Sequence, residues 1–173
     1  MHKKLPHIDA KNHYQFVTFR TNDSLDSYIN KLIKDENLKQ NIKQYKIDEI
    51  LDTSSNGAYL NKNILKYLYQ FLRELNCNVY EIICFVIMPN HVHILFKQLK
   101  PLDETIRVIK SKSAREINTL LNKSGKFWAS NYYDRVIRDE EHFVQVFEYI
   151  KNNSLKAGLC LKDRFYSVYD EVD

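Results

Sequence analysis

In the stretch Tyr80 to Gln98, YEIICFVIMPNHVHILFKQ, two apolar runs flank Met88-Pro89-Asn90. Both runs, Ile82 to Met88 and Val92 to Phe96, are rich in β-branched and aromatic residues, which favour strands. Pro89 and Asn90 suit the centre of a tight turn. The sequence therefore predicts a β-hairpin around which the rest of the chain is organised.

The second strand of this hairpin carries two histidines. Side chains alternate between the two faces of a strand, so His91 and His93 point to one face while Val92 and Ile94 point to the other. Two polar rings are costly to bury in such an apolar strand unless they have a task. Neutral imidazole is the commonest metal ligand in proteins, although an isolated His-x-His pair is also found as surface or hydrogen-bonded histidines. The pair indicates a candidate metal site.

The composition is typical of one soluble domain. With 173 residues, 44% of them hydrophobic, the chain can bury one core, and we expect residues 1–173 to form a single domain. A net charge of +4 favours a polyanionic partner only mildly. The three cysteines lack CxxC spacing, which argues against a disulfide framework or a zinc knuckle. No apolar signal core or membrane-spanning run is visible, so we expect a cytoplasmic protein without a membrane partner.

The first half of the chain alternates between strand and helix patterns. Tyr14 to Arg20 alternates as a strand, and Thr21 to Ser24 offers N-cap chemistry for a helix that follows. Residues 35–60 are polar, with apolar positions too sparse to fix a period, and are interpreted as a helical extension or a surface excursion. Asn61 to Leu75 has a clear helical stripe.

The second half predicts helix, strand and helix. A helix opens at Pro101 and ends near Gly125, Lys126 to Ile137 alternates as a fourth strand, and Asp139 caps a last helix that ends at Gly158. Residues 159–173 are interpreted as a C-terminal tail. The predicted fold is α+β, a ferredoxin-like antiparallel four-stranded sheet with helices on one face and an added C-terminal helix.

The last helix places Tyr149 and Asn153 one turn apart on the same edge. A tyrosine on a half-buried helix is normally a packing residue. The pattern alone therefore does not favour Tyr149 over Tyr132 or Tyr133 as a reactive residue.

Two long segments, MPNHVHILF and FWASNYYDRVIRDEEHFVQVFEYIKNNSLKAG, together resemble the single-tyrosine HUH transposases of the IS200-like family, and most closely the REP-associated tyrosine transposases of bacteria. HUH denotes histidine, hydrophobic residue, histidine, which His91-Val92-His93 matches. YQFVTFRTNDS near the start also carries the resemblance, whereas residues 35–59 carry little of it.

The resemblance implies roles for particular residues. Relatives carry the nucleophilic tyrosine in a Tyr-Ile-x-x-Asn pattern on the C-terminal helix, which assigns Tyr149 as nucleophile. Asn153 then falls where the family places a third metal ligand beside His91 and His93. The chain departs from the family at Ser154, where relatives commonly have proline, so the positioning of Asn153 is the feature most open to change.

The resemblance also implies a reaction. It is cleavage and rejoining of single-stranded or hairpin DNA through a 5′-phosphotyrosine, with Mg²⁺ or Mn²⁺ as cofactor, by a monomer or a homodimer. Two other functions stay open: a hairpin-binding regulator without catalysis, and a metal-dependent nuclease in which water attacks.

DNA contacts are expected from basic and aromatic side chains. A charged outer face is usually only solvated, and aromatic residues are more often core than stacking platforms. The candidates for stacking on bases are Trp128, Tyr132 and Tyr133, and those for phosphate contact are Arg20, Arg107, Lys110, Lys112, Arg115, Arg135, Arg138 and Lys151.

Overall fold

A single antiparallel sheet of five strands, in the order β4-β1-β3-β2-β5, forms the centre of the molecule. The computed structural model describes residues 9–170. The predicted α+β, ferredoxin-like antiparallel architecture is confirmed, with one strand more than expected. The strands are β1 (Tyr14–Arg20), β2 (Tyr80–Ile87), β3 (His91–Gln98), β4 (Tyr133–Val136) and β5 (Phe165–Ser167).

Helices cover both faces of this sheet. The helices are α1 (Ser27–Lys34), α2 (Gln40–Thr53), α3 (Lys62–Glu74), α4 (Leu102–Leu120), α5 (Glu140–Lys156) and α6 (Leu161–Arg164). α3 and α4 pack on the face that presents Val17, Val92 and Ile94. α5, the added helix of the prediction, packs on the opposite face, against Phe16 and Leu95. Among residues 9–170, no helix combines the length and apolarity needed to cross a bilayer.

The predicted hairpin is the middle of the sheet. β2 and β3 pair antiparallel, and the Met88 N–H donates to the His91 carbonyl across the turn at 2.9 Å. β1 pairs with the other edge of β3, with Thr18 opposite His93 and Arg20 opposite His91. Residues directly opposite one another share a face of the sheet. The histidine face therefore also carries Thr18 and Arg20.

The start of the first helix differs from the prediction. Ser24 donates back to the Thr21 carbonyl at 2.7 Å, so Thr21 to Ser24 closes a short turn rather than capping a helix. The N-cap is instead Asp26, whose carboxylate accepts from the Ile29 N–H at 2.8 Å. The local hydrogen bond of Ser24 competes with the cap, as serine commonly does near helix starts.

The fourth strand is much shorter than the predicted range of Lys126 to Ile137. Only Tyr133–Val136 pairs with β1, apart from one isolated bridge between Trp128 and Thr21. The carbonyls of residues 129–131 point at the ammonium group of Lys110, at distances from 2.8 to 3.3 Å. These carbonyls thus accept from a side chain, and residues 129–131 lie outside the strand.

The C-terminal segment predicted as a tail is partly structured. α6 leads into β5, which pairs with the outer edge of β2. Arg164, at the end of α6, donates to the carbonyls of Leu60 and Ile87 at 3.1 and 2.8 Å. Residues 171–173 of that segment lie outside the described residues. The part that is described closes one edge of the sheet, which removes an exposed strand edge.

Residues 35–60 contain α2, a helix of 14 residues that packs on α1 through Ile29, Leu32, Ile47 and Leu51. The segment after α2 is fixed against the end of β1, because Thr21 Oγ1 donates to the Gly57 carbonyl at 2.9 Å. Gly57 has φ +63, and a Cβ there would lie 2.3 Å from Thr21 Oγ1. This close approach requires glycine.

Candidate functional site

His91 and His93 lie side by side on β3, and both are completely buried. Their ring centroids are 4.8 Å apart, and the two Nε2 atoms face one another at 3.1 Å. The predicted projection of both rings from one face is therefore correct. Val92 and Ile94, which alternate with the histidines along β3, project from the other face into the apolar core under α3 and α4.

The other nitrogen of each ring is held by a neighbour. Asn90 donates its amide to the carbonyls of Leu51, Ser54 and Asn56, so its Oδ1 is the atom that faces His91 Nδ1, at 2.8 Å. A carbonyl oxygen only accepts, so the proton of His91 is on Nδ1 and the lone pair is on Nε2. This hydrogen bond turns the lone pair of His91 towards the shared space between the rings.

Thr18 holds His93 in the same way. Its Oγ1 lies 2.7 Å from His93 Nδ1, across the β1–β3 pairing. An imidazole that ligates a metal usually has its second nitrogen hydrogen-bonded to a neighbour, which fixes the orientation of the ring. Both histidines have such a partner.

Asp48 enters this space from α2. It is buried, and its Oδ1 accepts from Gln44 Nε2 at 2.6 Å while Oδ2 lies 4.0 Å from His93 Nε2. One ligand atom from each of Asp48, His91 and His93 lies within 4.8 Å of the others. The sequence analysis did not identify Asp48.

Tyr149 reaches the same carboxylate from α5. Its hydroxyl donates to Asp48 Oδ2 at 2.6 Å, and its ring centroid is 5.4 Å from that of His93. The buried residues Val146 and Ile150 anchor α5 on the sheet, which leaves Tyr149 on the edge of the helix that faces α2. The structure thus brings Tyr149, rather than Tyr132 or Tyr133, to the histidine pair.

Asn153 lies one turn beyond Tyr149 and is buried. Its Oδ1 has no hydrogen-bond partner among the described residues. Ser154, at the position where relatives carry proline, is also buried, and α5 continues to Lys156. Serine keeps the backbone N–H that proline lacks, so the helix can continue through this position with Asn153 still on it.

Burial shifts the pKa values of the cluster. It lowers the pKa of His91 well below the ordinary value, helped by His93 and Arg20, and it lowers the pKa of His93 to about 3. Burial raises the pKa of Asp48 to about 7, against the hydrogen bonds from Tyr149 and Gln44 that favour the carboxylate. Burial and the Asp48 charge also raise the pKa of Tyr149, while the Asn153 side chain lowers it. Both histidines are therefore neutral at neutral pH, the form that binds metal.

The donor atoms fit a divalent cation. Two nitrogen ligands about 2.1 Å from an ion and at right angles to one another are roughly 3 Å apart, which agrees with the 3.1 Å between the Nε2 atoms. The buried carboxylate of Asp48 borders the same space. Asn153, one turn beyond Tyr149, has a buried amide oxygen without a hydrogen-bond partner among the described residues. Nitrogen and oxygen donors together suit Mn²⁺, Mg²⁺ or Zn²⁺.

The predicted phosphate contacts fall into three groups. Arg20 is buried beside His91, and Lys110 donates to three backbone carbonyls, so neither is on the open surface. Arg107, Lys112 and Arg115 are exposed on α4, on the opposite side of the sheet from the histidines. The structure leaves three of the predicted residues on the histidine side of the molecule: Arg135, Arg138 and Lys151.

The predicted stacking residues are less accessible than a platform needs. Trp128 is buried, and its Nε1 donates to Ser113 Oγ at 2.9 Å. Tyr132 is also buried, whereas Tyr133 is half-buried with its ring edge-on to Phe16. Trp128 and Tyr132 therefore pack in the core, and Tyr133 is the one of the three with an accessible ring.

Sequence reasoning missed Asp48, Gln44, Asn90 and Thr18 as parts of the site. The signal for Asn90 was its position directly before His91 at the turn. The Gln44 and Asp48 pair has i,i+4 spacing on a helix, where side chains meet. Nothing in the sequence indicated that α2 would turn this pair towards β3.

Comparisons with known proteins identify the family and agree with the fold. Residues 41–153, well over half of the chain, match the family described as "Transposase IS200 like". An uncharacterized protein of Haemophilus influenzae is 32% identical over an alignment that covers 47% of this chain and 57% of that protein. The chain thus spans little more than half the length of that relative.

Two solved structures are similar to this chain. A REP-associated tyrosine transposase bound to a REP hairpin has a TM-score of 0.52 and 14% identity, with 91% of this chain and 76% of that chain covered. A putative transposase from Deinococcus radiodurans R1 has a TM-score of 0.48 and 16% identity, with 88% and 98% covered. The first likeness shows a shared fold.

The residues that match the family, 41–153, begin in α2 and end at Asn153 in α5. They include Asp48, both histidines and Tyr149. The chain belongs to the IS200-like transposase family.

Proposed function

We propose that this protein is a metal-dependent tyrosine transposase that cuts single-stranded DNA and rejoins it through a 5′-phosphotyrosine. One observation carries the proposal: the Tyr149 hydroxyl, Asp48 and the two imidazoles form one buried cluster, with Tyr149 Oη 2.6 Å from Asp48 Oδ2. A phenol normally packs or hydrogen-bonds at a surface. Here the acceptor of the phenol, Asp48 Oδ2, lies 4.0 Å from Nε2 of His93, one of the two candidate metal ligands.

His91 and His93 would hold the divalent ion, with oxygen donors from Asp48 and Asn153. When bound, the ion supplies Lewis-acid stabilisation of the negative charge that develops on the scissile phosphate. Mg²⁺ or Mn²⁺ suits a phosphate site with oxygen donors and reversible chemistry. The orientation of the ligands does not depend on the ion, because Asn90 and Thr18 orient the two imidazole rings and Gln44 orients the Asp48 carboxylate.

The chemical step is a transesterification. The Tyr149 oxygen attacks phosphorus, the bond from phosphorus to the 3′-oxygen breaks, and the phosphate stays on Tyr149 as a 5′-phosphotyrosine. The phenolic proton leaves along the hydrogen bond to Asp48, and the 3′-oxygen takes up a proton to become a hydroxyl, so the proton count balances. Attack of a 3′-hydroxyl on the phosphotyrosine reverses these steps and joins strands without nucleotide hydrolysis.

We infer that the DNA lies on the α5 side of the sheet. Arg135 lies on that face of the sheet, opposite Phe16, and Arg138 and Lys151 are the other predicted phosphate contacts on that side of the molecule. The exposed basic residues of α4 lie on the opposite side of the sheet, where they would contact only more distant phosphates of a folded hairpin. The structural relative was solved with a REP hairpin, which supports a hairpin substrate here. Tyr149 and the histidines meet within one chain, which supports action in cis by a monomer or by each protomer of a homodimer.

The test uses end-labelled single strands that carry a REP-type hairpin with unpaired flanks of varied sequence, incubated with Mn²⁺ and then denatured. We expect a covalent protein–DNA adduct from the wild type. Tyr149→Phe should abolish it, while the matched control Tyr133→Phe should retain it, because phenylalanine keeps the ring that packs on Phe16.

The other two functions give different results in the same experiment. A water-dependent nuclease would release free ends in both the wild type and Tyr149→Phe, with no adduct. A regulator would bind the strands and leave them intact in every variant. Either result would contradict the proposal.

A further inference from the structure

A pocket of about 190 Å³ opens on the outer side of Tyr149 and Asp48, between α2, the β1–β4 pair and the start of α5. It does not involve the histidine pair. Its walls combine aromatic rings with polar side chains, among them Gln44, Tyr45, Tyr133, Arg135, His142 and Gln145.

His142 gives this pocket an unused hydrogen-bond donor. The side chain is only 4% exposed, and its Nδ1 accepts from the Arg138 N–H at 3.2 Å. The proton of the neutral ring is therefore on Nε2. Among residues 9–170, Nε2 has no hydrogen-bond partner, and a buried donor without a partner is unfavourable. The unpaired N–H of His142 at the wall of this pocket is explained if a bound ligand supplies a hydrogen-bond acceptor.

Arg135 adds a second set of donors on the same side. It lies opposite Phe16 on β4, which places it on the face of the sheet that carries the pocket. A guanidinium has five N–H donors and no acceptor, so Arg135 keeps donors for a ligand besides its hydrogen bond to Tyr133. Tyr45, which is 54% exposed, and the half-buried Tyr133 provide ring surfaces. The combination suits a flat ring with acceptors along one edge.

The volume agrees with a ligand of that size. A cavity of about 150 Å³ holds one benzene ring, so 190 Å³ admits a single aromatic ring with its substituents. A phosphate alone would leave the aromatic walls without a role. Nucleobases have a face for stacking and an edge with oxygen or nitrogen acceptors.

We propose that this pocket binds one unpaired nucleobase of the DNA strand next to the scissile phosphate, held by stacking on Tyr133 and Tyr45 and by donors from His142 and Arg135. The inference rests on the proposed function, because the strand passes the pocket only if its phosphate reaches Tyr149. The pocket would then select which base can occupy the position beside the cut.

The experiment measures binding without metal and without cleavage. The probes are five tetranucleotides with the same number of phosphates. Four of them carry a single base, A, C, G or T, at the same position and are abasic elsewhere, and the fifth is abasic at every position. We expect at least one base-bearing probe to bind about tenfold or more tightly than the fully abasic probe, in keeping with base–aromatic stacking. The ring resonances of His142 in protein with ¹⁵N-labelled histidine should shift with that probe.

Variants separate the pocket from general DNA affinity. His142→Phe and Arg135→Gln should each remove the preference for the base-bearing probe, while His13→Ala, an exposed histidine elsewhere on the molecule, should keep it. If His142→Phe does not fold, Arg135→Gln and the His142 resonances decide the question.

Equal binding of all five probes, or equal shifts of His142 with the fully abasic tetramer, would overturn the proposal and indicate a phosphate site. Because neither metal nor chemistry is needed, a negative result here leaves the adduct test of the proposed function unaffected. The reverse also holds, since loss of the adduct would not alter the binding of the tetramers.

Discussion

Asn90 shows how a single residue can prepare a metal ligand. Its three amide hydrogen bonds to the carbonyls at and beyond the end of α2 leave Oδ1 as the atom beside His91. The same side chain thus ties α2 to β3 and sets the tautomer of His91. Residues that hold a ligand in this way are commonly almost as important for metal affinity as the ligand itself.

Asp48 is the residue whose charge should matter most for the ion. In Asp48→Asn the side chain keeps its volume and can still accept one hydrogen bond, but the buried negative charge is lost. We expect the affinity for Mn²⁺ to fall about tenfold or more, measured from the signal of the free ion in electron paramagnetic resonance.

The matched control for Asp48→Asn is Glu49→Gln, which removes a charge from the exposed side of the same helix. Its affinity for Mn²⁺ should stay close to that of the wild type. Wild-type affinity in Asp48→Asn, combined with a large loss in Asn153→Ala, would assign the oxygen donor to Asn153 alone.

The residues of the hairpin and of α5 could be predicted because their patterns are local. Alternation along β3 placed the two imidazoles on one face. The spacing of four residues placed Tyr149 and Asn153 on one edge of α5. Choosing Tyr149 among 12 tyrosines required the family resemblance. Asp48 could not be predicted, because its meeting with His93 depends on how two distant segments pack.

At the scale of elements, α2 explains the largest gap in the sequence analysis. Its buried positions include Lys43, Gln44 and Asp48 as well as Ile47 and Leu51. A helix whose inner face is partly polar lacks the apolar stripe by which a helix is recognised in a sequence. Gln44 and Asp48, two of the polar residues that interrupt the apolar stripe of α2, are also residues of the site.

Packing of α2 should therefore control the ion site. Ile47 is 3% exposed and lies next to Asp48, in the small cluster between α1 and α2. In Ile47→Ala we expect a loss of about 2–5 kcal/mol in the stability of this region and weaker binding of Mn²⁺, because Asp48 is no longer held in place. Hydrogen exchange of the α2 amides measures the first effect and Mn²⁺ titration the second.

Ile42→Ala is the control on the same helix, since Ile42 is 43% exposed. It should change neither the exchange of the α2 amides nor Mn²⁺ affinity appreciably. If Ile47→Ala loosened α2 but left Mn²⁺ affinity intact, the ion would not depend on Asp48.

On the scale of the whole molecule, the sheet separates two tasks. The face under α3 and α4 is a continuous apolar core, which includes Val92 and Ile94 of the central strand. The face under α5 and beside α2 carries the polar cluster and the pocket, with Phe16 and Leu95 as its apolar support. One strand, β3, contributes alternate residues to both, so the apolar core holds the imidazoles in register.

The structure also explains why the charge composition of the chain indicates little about DNA contacts. The net charge of +4 is small because 22 acidic residues offset most of the 26 basic ones. Some of the basic side chains also serve the fold, as Lys110 does with its three carbonyl acceptors and Arg164 with its two. The number of cations therefore says little about the DNA path. Their position relative to the histidine face says more.

The most direct test of the central claim is to map the adduct by mass spectrometry after digestion with trypsin. The peptide from Asp139 to Lys151 contains Tyr149 as its single tyrosine, and Tyr132 and Tyr133 fall in a different peptide. The account predicts a nucleotide phosphate on Tyr149, formed only with the divalent ion and lost when either His91 or His93 is replaced by alanine. A phosphate on Tyr132 or Tyr133, or cleaved DNA with no modified tyrosine, would contradict it.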